Sequence, residues 1–463
     1  MILEKHIFMC KHISFFILFF LQSCNASRHA NEQIISKKNQ ILQIPYHPLN
    51  NEKDLDILLK EIDTSRIVLL GEASHGTSEY YTWRTAISKR LIKEKGFSFI
   101  AVEGDWSDSY KVNNFIKAEK KDSNAVITLL KEYNRWPTWL WANYEVASLV
   151  GWLNEFNQNR SAKDEIGFYG LDLFNIAEAA NEIMPFLKPS DTAAMNAVKK
   201  FQQCFKPYAN DEQQYSKVLS RGIITCKEAA NNLWHIVHAL AFKKLYTTET
   251  DFAMDQDALV VFDGELYLRT RGNAVDAWNF RDNHMLETIN RILKLYGPNS
   301  KAIIWAHNNH VGDAQYATMH WEGKINLGNL LRYQYGVKNV FIIGLGSYIG
   351  SVIAAEKWGT AYQEMPIAFA DDSSWEQKMH QLNTENKIII CKELKDKPNM
   401  LRWMSHMGIG VIYHPLDRTG IYSLSVIPNR YDAFLFFDHT NALHPIETPV
   451  KGKEPLGKNA LDY

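Results

Sequence analysis

Four apolar residues, Ile67–Leu70, run straight into Gly71-Glu72-Ala73-Ser74-His75-Gly76, and a helix-like stretch opens near Thr77. An apolar run closed by glycine is the pattern of a parallel strand buried on both faces. Such a strand points to an α/β protein, with a mostly parallel central sheet flanked by helices. In sheets of that kind chemistry gathers just past the carboxyl ends of the strands. Glu72 and His75 stand at that place. The positive end of the next helix lies beside them and suits a carboxylate or a developing oxyanion.

The pattern recurs along the chain. A helix over Ser78–Lys95 is closed by Gly96, and Phe97–Val102 is a second strand that runs into Glu103-Gly104-Asp105-Trp106. A third, Ile166–Leu173, carries Asp172 near its end. A fourth, Ala302–Ala306, is followed at once by His307-Asn308-Asn309-His310. Val340–Ile343 is a fifth, and later candidates are Ile388–Ile390, Gly410–Tyr413 and Phe434–Phe437. Helical spacing covers Asp54–Ile62, much of 107–160, Leu327–Tyr335, and Ala274–Tyr296 up to Gly297-Pro298.

Between 177 and 265 no strand pattern occurs, while Leu233, Ile236, Val237 and Leu240 fall at helical spacing within Cys226–Phe242. That segment is expected to form a helical lobe inserted into the α/β core. The predicted catalytic domain spans 43–449. It follows a signal at 1–23 and a polar, flexible tether at 24–42, and precedes a loosely held tail at 450–463.

At 463 residues the chain can bury a sizeable core, and a formal charge of -1 gives no reason to expect nucleic acid as a partner. Lys5 and Lys11 precede the apolar run Ile13–Leu21, which is too short to span a bilayer. Leu21-Gln22-Ser23-Cys24 then reads as a lipoprotein signal, whose cleavage leaves a lipidated Cys24 as a membrane tether. An ordinary secretory signal cut near Ala26 is the other reading. Both export the protein to the periplasm or cell surface; the alternative is a cytoplasmic enzyme. In an oxidising compartment Cys204 and Cys226 could pair and leave Cys391 alone, although buried free thiols are the expected state of all three.

Three strand ends thus bring Glu72 with His75, Glu103, and His307 with His310 to one edge of the sheet. A histidine poised between carboxylates can serve as general base near neutral pH. No Gly-x-Ser-x-Gly elbow occurs, so water activated by histidine fits better than a serine nucleophile, with a second histidine or an arginine stabilising the oxyanion. Arg84, nine residues after His75 on the following helix, can reach back toward the strand ends. The pair His307-x-x-His310, with His75 and Glu103, also supplies donors for a metal ion, and a metal-dependent hydrolase of another ester or amide is the competing reading. Trp106, Trp136, Trp139, Trp141 and Trp152 are either core or the lining of an apolar cleft.

The segments G-E-A-S-H-G-T-S-E (71–79), V-E-G-D-W (102–106), W-P-T-W-L-W-A (136–142), G-L-D-L (170–173) and A-H-N-N-H-V (306–311) occur in an order that resembles the erythromycin esterase family, from about residue 50 to 445. Asn308-Asn309 stands where many relatives have Asn-Gly or Asn-Ala. The resemblance implies an α/β core with a helical lobe, a cleft between them, and no cofactor or metal. It implies hydrolysis of the macrolactone of erythromycin-type antibiotics by histidine-activated water, and with it macrolide resistance. It places the functional groups on Glu72, His75, Arg84, Glu103, His307 and His310. His307 is then the base, while His75 and Glu103 orient base and substrate.

Overall fold

All four side chains of Ile67–Leu70 are buried, and this strand lies in the middle of a nine-stranded sheet. The computed structural model describes residues 43–209, 211–219, 225–243, 248–417 and 420–447; the signal, the tether with Cys24 and the tail lie outside the described residues. In chain order the strands are β1 (His47–Pro48), β2 (Ile67–Leu70), β3 (Phe99–Asp105), β4 (Gly167–Asp172), β5 (Ala302–Trp305), β6 (Val340–Ala355), β7 (Tyr362–Ile367), β8 (Lys387–Ile390), β9 (Met404–Met407), β10 (Tyr422–Ser425) and β11 (Ala433–Thr440). Across the sheet the order is β4-β3-β5-β2-β6-β11-β8-β1, with β7 on the outer half of β6. Every neighbour from β4 to β11 is parallel, and β8, β1 and β7 add antiparallel pairs. The sheet is therefore mostly parallel, as the apolar runs predict.

Register explains why the acidic and basic ends converge. Leu70 is opposite Trp305, and Trp305 is opposite Val102, so all three lie on one level. The chain then continues into Gly71-Glu72, Ala306-His307 and Glu103 at a shared edge. Gly71 is dictated by close approach: a Cβ there would lie 2.1 Å from Asn308 Oδ1 and 3.1 Å from the Ile343 carbonyl oxygen.

Two strand expectations are corrected. Val340–Ile343 continues to Ala355, because the glycines that read as a turn serve close packing instead; at Gly344 a Cβ would lie 2.8 Å from both the Phe434 and Tyr431 rings. Gly410–Tyr413 is not a strand. Its neighbour Ile409 and its own Ile412 make single bridges to Ser74 and Ala355, so the segment crosses the sheet edge as a loop.

Helix Ser78–Lys95 ends at Gly96, which is left-handed with φ of +68°. Between β4 and β5 the described residues contain helices and turns but no strand, including Ile176–Ile183, Thr192–Phe205, Lys227–Lys243 and Glu249–Thr270. Cys204 and Cys226 form a disulfide with Cα atoms 5.8 Å apart, which corrects the expectation of free thiols. Packing of helix Thr192–Phe205 beside helix Lys227–Lys243 brings the two cysteines together, and one-dimensional spacing does not report such packing. Cys391 is free and buried. Among the described residues no helix is long and apolar enough to cross a membrane.

Candidate active site

Glu72 lies just past β2, and helix Ser78–Lys95 carries Arg84 back over it. Glu72 Oε1 is 2.8 Å from His75 Nδ1, and Oε2 accepts from Arg84 Nη2 at 2.6 Å. Arg84 is fully buried, with its Cζ 4.4 Å and 4.6 Å from the ring centroids of Tyr81 and Trp305. Those two π faces accommodate a charge that a single carboxylate oxygen does not saturate. An ionised carboxylate only accepts, so His75 Nδ1 is the donor, and in the neutral ring Nε2 keeps its lone pair.

His307 is bonded the other way round. It caps the short helix Asn308–Val311, its Nδ1 accepting from the Asn309 N–H at 3.2 Å. A neutral ring then carries its proton on Nε2, which is buried without a directed hydrogen-bond partner in the protein. The Ala73 carbonyl, which accepts from the Ile409 N–H at 2.7 Å, adds a hydrogen-bonding contribution that favours a charged His307. Burial, reinforced by the neighbouring His75, nevertheless holds the His307 pKa well below the ordinary histidine value. The two rings are 5.0 Å apart between centroids, tilted by 45°. One imidazole presents a lone pair and the other an N–H.

Behind this pair lies a second ionic network. Glu103 Oε2 accepts from the His307 backbone N–H at 2.7 Å, and Oε1 accepts from Arg281 Nη2 at 2.9 Å. Arg281 also grips Asp172 with Nε and Nη2, at 2.6 Å and 2.8 Å. Burial alone would raise Glu103, but His310 and Arg281 hold its carboxyl well below the usual range. His310 stacks on Trp278 with centroids 4.4 Å apart, and its Nδ1 is 3.0 Å from both oxygens of Asp282.

Arg281 and Asp282 are absent from the sequence-derived site, although a trace of Arg281 is there. It falls on the buried stripe of helix Ala274–Tyr296, with Ala277, Met285 and Ile289, where a charge needs a buried partner.

Burial works against a charge on His310 and Arg281 opposes it further, yet Asp282 and Glu103 outweigh both and raise its pKa to about 9. Asp282 is pushed up by burial, which His310 reverses only in part. The two share a proton, and it rests on His310, which faces two carboxylates. A folded-state value above the unfolded one stabilises the fold fully below about 6.5, and the contribution is lost as pH rises through about 9. Its size is on the order of 3 kcal/mol. Denaturant titrations between pH 6 and 9.5 are expected to show wild type losing stability more steeply than His310→Gln; equal slopes would remove His310 as the titrating group.

All six predicted residues are thus brought to one edge. Glu72, His75 and Arg84 form one network, Glu103, His307 and His310 join the other, and the ring contact links them. His307 and His310 do not converge on a common point, because His310 is turned to Asp282 and Arg281. Among the described residues no group of three or more His, Cys, Asp or Glu is arranged to hold a metal ion.

Two spaces meet at the histidines. His307 opens on a cavity of about 450 Å³ that Trp278, Met319, Tyr413 and Ile421 also line. His75 borders a small pocket of about 30 Å³ with Glu103, Asp172 and Arg281, and Val411 lines both. The helical lobe stands behind the smaller pocket's wall: Phe174, which lines it, packs edge-on to Tyr267. Of the five early tryptophans, Trp106, Trp136 and Trp139 are core, and Trp152 is half-buried. Only Trp141 reaches the site, donating to the Glu103 carbonyl at 3.2 Å.

A mostly parallel sheet with a carboxylate–histidine pair and a second histidine at its carboxyl edge defines an α/β protein with a polar site at its strand ends. The profile of the erythromycin esterase family matches residues 92–440, a stretch that includes Glu103, His307 and His310 and starts after His75 and Arg84. The chain belongs to the erythromycin esterase family, and that membership makes it a hydrolase. Erythromycin esterase type II of Escherichia coli is 22% identical over 394 residues, covering 78% of this chain and 89% of that protein. A solved structure described as a succinoglycan biosynthesis protein matches with a TM-score of 0.70 at 19% identity, over 89% of this chain and 98% of that one. A mutant of the erythromycin esterase EreC, in its open conformation, matches with a TM-score of 0.57 at 14% identity, over 89% and 99%.

Proposed function

We propose that the protein opens the lactone of erythromycin-type macrolides with water activated at His75, without a metal ion, and so confers macrolide resistance. The observation that carries this reading is the opposed bonding of the two imidazoles, 5.0 Å apart. It exchanges the roles expected from the family resemblance, where His307 is the base. His75 Nε2 takes a proton as the water oxygen attacks the acyl carbon. His307 Nε2–H donates to the oxyanion that forms. Collapse of the intermediate breaks the ring C–O bond, and the proton returns from His75 to the leaving alkoxide, giving a linear hydroxy acid one water heavier. Glu72 fixes the His75 tautomer and stabilises the transient imidazolium, as a carboxylate does in hydrolase triads.

The cavity of about 450 Å³ beside His307 is of the size that accepts a large organic ligand. Against a metal-dependent hydrolase, Arg281 Nη1 stands 3.1 Å from His310 Nε2, so a cation already occupies the place where a second one would bind. The Cys204–Cys226 disulfide supports an oxidising compartment, and so export behind the amino-terminal signal with a tether at Cys24.

Mass spectrometry of erythromycin and a larger-ring macrolide, incubated with purified protein with and without chelator, tests the reading. A gain of one water that chelator does not alter is expected. Stoichiometric metal in the protein and loss of turnover with chelator would move the assignment to the metal-dependent hydrolase, and intact drug would remove the macrolide as substrate.

A further inference from the structure

Trp321 and Trp403 lie against each other with ring centroids 4.6 Å apart, and they are 61% and 38% exposed. An indole has a large apolar area to bury, and two adjacent ones left open form the kind of surface that marks a ligand. Both lead to the cavity beside His307. Trp321 stands in the 317–324 loop, whose Thr318, Met319, Glu322 and Lys324 line that cavity. Trp403 leads into β9, which pairs with β10, and Ser423 of β10 lines the same cavity. The pair is therefore carried by segments that line the cavity, with a carboxylate and an ammonium close by in sequence in Glu322 and Lys324, 3.1 Å apart. A pyranose ring has one face of C–H bonds and an edge of hydroxyls. Open indoles accept the face by stacking, and paired charged groups accept the edge as hydrogen-bond acceptor and donor.

We propose that Trp321 and Trp403 form a saccharide subsite, which holds a pyranose of a glycosylated substrate while the ester reaches His75 and His307. The inference rests on the reading above, in which the substrate is a sugar-bearing lactone. Calorimetric titration of the full-length His75→Ala protein with erythromycin and with its sugar-free aglycone tests it. Erythromycin is expected to bind at least tenfold more tightly than the aglycone. Trp321→Ala and Trp403→Ala, each added to that background, are expected to bring the ratio near unity. A ratio near unity before those substitutions, or one that they leave unchanged, overturns the subsite and leaves the macrolide reading standing. If neither compound binds, the macrolide reading falls, and saturation-transfer NMR with methyl rhamnoside examines the subsite alone. Transfer to pyranose protons that both substitutions abolish supports it. Absence of transfer, or transfer that survives them, overturns it.

Discussion

His75→Ala is expected to lower kcat/KM by about 10² to 10⁴, the range a positioned general base contributes. The expectation follows from hydrogen bonding rather than from the presence of a histidine. His75 Nδ1 is committed to Glu72, so its other nitrogen is a base held in one tautomer. His307 differs, since its Nδ1 is already used as an acceptor by the Asn309 N–H. His307→Ala therefore removes a donor, with an expected loss of about 10² to 10³ in kcat. The two losses can be of similar size, so rescue by added imidazole separates them. With His75 as base, imidazole restores turnover to His75→Ala and not to His307→Ala. The opposite result would return the base to His307. Unfolding midpoints belong beside the kinetics, because loss of the His75 side chain leaves one Glu72 oxygen without its partner, while Arg84 still holds the other.

The positions of the six site residues were legible because parallel strands report themselves. Ile67–Leu70 and Ala302–Trp305 are buried on both faces, so their sequences are continuous apolar runs, and whatever follows such a run lies at the sheet edge. What those residues do to each other was not legible. The roles of His75 and His307 depend on which ring nitrogen each one has committed, and that follows from the turn at Asn308-Asn309 and the return of helix Ser78–Lys95. The second network was hidden for a different reason. Arg281 and Asp282 are adjacent in a long helix, where an arginine beside an aspartate reads as a solvated surface. Only the packing of helix Ala274–Tyr296 buries both, Arg281 against Glu103 and Asp172, and Asp282 against His310 and the Leu327 N–H. The glycines of β6 misled in the same way, since a glycine that admits a neighbouring ring is written like one that turns the chain.

Arg281→Met is expected to destabilise the fold by about 3 to 5 kcal/mol, the cost of leaving buried charges without their partner. Two groups depend on this guanidinium: Asp172 receives two of its hydrogen bonds and Glu103 receives one. Asp172 and Glu103 are both nearly inaccessible to solvent, so water does not replace the lost donor. Glu103 also holds the His307 backbone, so the damage passes to the active site, and turnover is expected to fall along with stability. A plain packing role for Arg281 predicts a different pattern, and a double variant distinguishes the two. If Arg281 acts by neutralising Asp172, then Arg281→Met with Asp172→Asn removes charge and countercharge together and is expected to recover part of the stability lost in the single variant. Denaturant midpoints at constant slope measure both losses. A double variant as unstable as the sum of the singles would show that methionine fails by shape, and the ionic network would lose its claim to hold this edge of the sheet.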